Sequence, residues 1–153
     1  ELVDLLYVNP DAADLGTLRA ELVRLRKVLS GFDKSLVPLS RPYRLAKVPR
    51  SDARDVLTAI KSGDLDAALK HYDGPVIERS SAPGIEAIRE EVFAALRQAM
   101  LQDGTEQQLL HFLQAPETQG DAELLSTTLQ VLPARSPHRA LIVAALERLE
   151  ANG

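Results

Sequence analysis

The residues able to carry covalent chemistry are few and poorly placed for it. His71, His111 and His138 lie far apart, each without a nearby His or Cys at metal-ligand spacing, and surface or capping roles account for them. Glu90 and Glu91 are paired only in sequence, since neighbours on a helix point about 100° apart and cannot share a proton or a substrate atom. Ser80 and Ser81 fall in a connector with no adjacent base to activate a hydroxyl. A nucleophile elbow, a glycine-rich phosphate loop and a His-Glu-x-x-His pair are all missing. The chain has no cysteine, which excludes disulfides and thiolate metal sites. The expectation is a protein that is not an enzyme and has no metal or cofactor.

What the sequence concentrates instead is positive charge. Residues 15–50 hold Arg19, Arg24, Arg26, Lys27, Lys34, Arg41, Arg44, Lys47 and Arg50 against Glu21 and Asp33, a net charge of +7. Residues 51–153 hold nine basic and sixteen acidic residues, a net charge of -7. The overall charge of -4 therefore conceals a basic head on an acidic body. Arginine can read guanine O6 and N7 in a major groove about 12 Å wide, where a threonine can touch a thymine methyl. A solvated basic face is the bland alternative for the same residues.

The elements that must position these groups follow from apolar spacing. Glu1 to Val8 reads as a short helix, ended by Asn9-Pro10-Asp11. A second helix is expected from about Gly16 to Leu29, because Leu18, Leu22, Leu25 and Leu29 recur at four, three and four residues, with Ser30-Gly31 as its stop. On that helix Thr17, Arg24 and Lys27 fall away from the leucines, and Arg19 and Arg26 on one flank. Residues 36–45, with Leu36-Val37-Pro38-Leu39 and Tyr43-Arg44-Leu45 around Ser40-Arg41-Pro42, read as an exposed two-stranded hairpin wing.

From Ser51 onward the pattern is helical. Helices are expected at Asp52 to Lys61, Leu65 to Tyr72 capped by Asp64, Pro83 to Asp103, a segment after the Thr105/Gln108 capping box bounded by Pro116, Asp121 to Val131, and Arg139 to Ala151 with Ser136 as N-cap. Short loops favour antiparallel pairs, as in a degenerate tetratricopeptide-like array. The expected fold class is mostly α, a partial winged helix-turn-helix over 1–47 joined to this array over 51–153. No stretch is long and apolar enough to span a membrane, and no secretion signal opens the chain, so a cytoplasmic protein is expected. With Met100 the only methionine and an apolar-periodic segment at the very start, the sequence reads as a fragment.

The run from Thr17 to Leu29, followed by Ser40-Arg41-Pro42-Tyr43-Arg44-Leu45, resembles the recognition helix and wing of response-regulator-type winged helix-turn-helix transcriptional regulators. Within them it is similar to an actinobacterial group, many with an upstream GAF sensor domain. Ser62 to Leu69, Tyr72 to Ile77 and Ser81 to Gly84 are similar to the segment after the wing in those proteins and to the bacterial transcriptional activator domain. The resemblance implies double-stranded DNA as partner. It puts Thr17 and Arg24 near base edges, Arg26 on phosphate, and Tyr43 and Arg44 near the backbone; Arg19 stands where relatives often carry an acid. Lys27 and Arg41 complete the basic set. A homodimer, and contact of the helical body with RNA polymerase or another protein, are further expectations. The rival is a helical protein-interaction scaffold that does not bind DNA.

Overall fold

The computed structural model describes residues 2–9, 15–40 and 42–152. Its elements are α1 (Leu2–Leu6), α2 (Leu15–Phe32), α3 (Asp52–Lys61), α4 (Leu65–His71), α5 (Pro83–Asp103), α6 (Glu106–Phe112), α7 (Ala122–Val131) and α8 (His138–Asn152), with 3-10 turns at Lys34–Leu36 and Pro116–Thr118. The chain divides into two compact units, residues 1–51 with 79–87 and residues 52–78 with 88–153.

In the first unit the expected wing is absent, and with it the winged helix-turn-helix fold: the described residues form helices and no β-strand. Of the expected ladder the described residues keep one isolated antiparallel bridge, Leu39 with Arg44, whose amides and carbonyls exchange hydrogen bonds at 2.7 and 3.3 Å. A longer ladder would next need the amide of Val37, but that N–H donates to the carbonyl of Lys34 and closes the 3-10 turn. Pro38 and Pro42 remove two more donors.

Helix α2 also runs past its expected stop. Ser30 and Gly31 are helical, the Ser30 hydroxyl donating back to the carbonyl of Arg26. The helix ends at Asp33, which turns extended and accepts from the amide of Ser35, capping the 3-10 turn. Those same hydrogen bonds hold the Asp33 carboxyl below the usual range.

Burial in this unit is thin. Leu18 is the one buried residue among its described positions, while Leu5, Leu15, Val28 and Phe32 stay exposed. Leu5 packs on Gly84 so closely that a Cβ there would lie 3.0 Å from the Leu5 carbonyl oxygen and from its Cβ.

The second unit has a conventional core. Val56 of α3, Ala68 and Leu69 of α4, Val92, Leu96 and Met100 of α5, Leu109 and Phe112 of α6 and Leu124 of α7 form one buried cluster. Leu125, Leu132 and Ile142 form a second between α7 and α8. Helix starts follow their capping chemistry: Asp64 accepts from Ala67, Asp121 from Leu124, and Thr105 and Gln108 make a reciprocal capping box. Ser136 departs from this rule. Its hydroxyl is buried without a partner, and Arg139 instead donates to the carbonyls of Leu129 and Leu132, closing the end of α7.

Two polar contacts tie helices of this unit together. Arg97 of α5 grips both oxygens of Asp121 and reaches Glu123. Tyr72 donates its hydroxyl to Glu117, and burial with that neighbouring carboxylate pushes the phenol well above its usual range. Between these helices the connector after α4 holds one unusual backbone: Ile77 has φ 43°, and Arg89 donates to its carbonyl and to that of Val76.

Candidate nucleic-acid interface

Helix α2 carries most of the basic residues singled out above because its apolar stripe takes one side and leaves the rest to charge. Thr17, Arg19, Arg24 and Lys27 are exposed. Advancing 100° per residue puts Thr17 and Arg24 about 20° apart, with Lys27 about 60° further round. Arg24 pairs with Glu21 one turn earlier, a contact made in the open.

Arg26 lies about 160° round the helix from Arg24. It is half-buried, its Nε donating to the carbonyl of Pro38 at 2.9 Å and its guanidinium lying 5.5 Å from the centre of the Tyr43 ring. Arg19, one stagger along the same flank, lines an open cleft with Val23, Arg26, Ser40, Pro42 and Tyr43.

The structure thus sorts the candidate residues into two groups. Arg19, Arg26 and Tyr43 share one cleft, and Thr17 and Arg24 share the other side of the helix, with Lys27 at the back. Arg44 is exposed, its backbone held in the bridge to Leu39. Arg41 lies outside the described residues. Sequence spacing missed the Arg26 contact with Pro38 and the inclusion of Val23 and Ser40 in the cleft. Arg26 and Pro38 are twelve residues apart, and no helical or strand period connects them.

The rest of the chain offers little concentrated chemistry. Among the described residues no group of three or more His, Asp or Glu is placed to hold a metal ion. His111 borders a shallow cleft with Leu69, Tyr72 and Asp73, a surface with no nucleophile beside it. No helix among the described residues is long and apolar enough to cross a membrane.

Residues 106–152, which span α6 to α8, match the family model described as "YTH3-like protein, third C-terminal helical domain". The chain is also 35% identical over 137 residues to an uncharacterized 47.3 kDa protein in the thcA 5' region of Rhodococcus erythropolis. That alignment covers 90% of this chain and 30% of the relative, so the chain spans less than a third of that protein. No solved structure matches. Neither description names a winged helix or a regulator.

Proposed function

We propose that the chain works as part of a bacterial, sequence-specific DNA-binding transcriptional regulator, in which α2 enters the major groove and the acidic helical unit contacts protein. The observation that carries this reading is the separation of charge: +7 over residues 15–50, with Thr17, Arg19, Arg24 and Lys27 exposed on one helix, against -7 over residues 51–153. Lysine and arginine that neutralise phosphates release condensed counterions, which gives affinity and a steep salt dependence. Thr17 and Arg24 lie side by side on the face that would meet base edges, while Arg19 and Tyr43 are set to reach the flanking backbone. Chemistry on a bound substrate forms no part of this role.

Titration of the chain against labelled duplexes at several salt concentrations tests the reading. The expected result is affinity that falls steeply from low to physiological salt and differs between cognate and scrambled sequences. Flat salt dependence, or no binding even in the longest form of the protein, transfers the assignment to a helical protein-interaction scaffold. The exposed leucines of α1 and α2 favour that second reading.

A further inference from the structure

We propose that the leucine face of α2 is a dimerisation surface, which packs in parallel register against the same face of a second copy of this chain. Leu15, Leu18, Leu22, Leu25, Leu29 and Phe32 alternate at three and four residues without interruption, the a and d spacing of a coiled-coil seam. The helix is continuous across all six positions. The chain's own α1 takes part of this seam, where Leu6 and Tyr7 border a groove with Leu18, Leu22 and Leu25. Towards the C-terminal end the seam opens: Leu25 keeps 44% exposure, Phe32 is 86% exposed, and Val28 beside them is 68% exposed. Three large apolar side chains in two turns of one helix exceed the scattered exposure usual on a monomer surface.

Charge selects the occupant and its direction. With Leu15 at an a position, Glu21 falls at g, and Arg19 and Arg26 fall at e. In a parallel pair a g residue meets the e residue five positions later on the other helix, which sets Glu21 of one copy against Arg26 of the second. An antiparallel pair brings the e positions together and opposes arginine with arginine. The middle of the seam lies about 110° round the helix from Thr17 and about 130° from Arg24, so a second copy seated there leaves those two residues uncovered.

Because the chain has no cysteine, single cysteines report the geometry directly. Phe32→Cys and Thr17→Cys would each be oxidised in the full chain, alongside sedimentation equilibrium of the unaltered chain from micromolar to hundreds of micromolar. The expected result is a concentration-dependent dimer, with Phe32→Cys forming a disulfide-linked pair at least about tenfold faster than Thr17→Cys. Phe32→Glu and Val28→Glu should raise the dissociation constant by at least about tenfold. Both positions are exposed in the single copy, so circular dichroism should show an unchanged helix content. A chain that stays monomeric throughout, or cross-linking as fast through Thr17 as through Phe32, overturns the proposal. Either result would mean that other polypeptide covers this face.

Discussion

The Arg26 guanidinium lies 5.5 Å from the centre of the Tyr43 ring, and the same side chain holds the carbonyl of Pro38. One residue of α2 therefore anchors the turn that carries Ser40, Tyr43 and Arg44. Arg26→Lys keeps the charge but lacks the planar donor fork that serves ring and carbonyl together. A contact of this kind contributes about 0.5–1 kcal/mol at exposed sites. The amides of Leu39 and Arg44 should exchange a few-fold faster in Arg26→Lys, by hydrogen-exchange NMR. Unchanged exchange would show that the bridge holds the turn by itself.

Two glycines should respond to alanine with opposite signs. A Cβ on Gly84 would press on the carbonyl oxygen of Leu5 at 3.0 Å, and backbone yields only by shifting α1. Gly84→Ala should destabilise the first unit by about 1–3 kcal/mol. Gly31 lies in α2 with nothing within 4 Å of a built Cβ, so Gly31→Ala should stabilise by about 0.5–1 kcal/mol. Denaturant titration followed by helical signal compares the two.

Acid should weaken the link between α5 and α7. Arg97 chiefly, and the α7 amides as well, hold the Asp121 carboxyl below its ordinary value against the opposing effect of burial. Its folded-state pKa is thus depressed, so its stabilisation is present above the unfolded value near 3.8 and is lost as pH falls through the folded value. Asp121→Asn retains a capping oxygen but gives up the ion pair. It should cost about 1–3 kcal/mol at neutral pH. The gap to the unaltered chain in urea titrations should narrow towards pH 2; a gap constant with pH would exclude the carboxylate as its source.

Base reading and phosphate contact should separate on α2. Arg24→Ala should lose about 1–3 kcal/mol on the cognate duplex and little on a scrambled one. Lys27→Ala and Arg19→Ala should weaken both alike and lower the salt slope by about one charge. Binding isotherms on the two duplexes decide; equal losses for Arg24→Ala would remove it from the base-reading role.

The second unit was largely legible in the sequence because its helices announce themselves twice, by apolar spacing and by end chemistry. Pro83, Asp64, Asp121 and the Thr105/Gln108 pair all stand where helices begin. The hairpin failed for a reason invisible to β-propensity: the amide of Val37 has a nearer acceptor in Lys34, and competition between a local turn and a ladder is settled by geometry. Ser30 and Gly31 misled similarly, since neither breaks a helix whose next hydrogen bonds remain satisfied. For the candidate interface, helical phase placed Thr17 beside Arg24. It could not show that Arg26 is engaged by residues more than ten positions downstream.

Leu18 is the sole described residue of the first unit to be shut away from water. A segment with so little interior opens locally at small cost, well before the cluster around Leu96 and Phe112 lets go. Amide exchange along this chain should therefore run on two clocks, and any ligand that settles on α2 would act as a missing piece of interior, slowing the faster clock while leaving the slower one untouched.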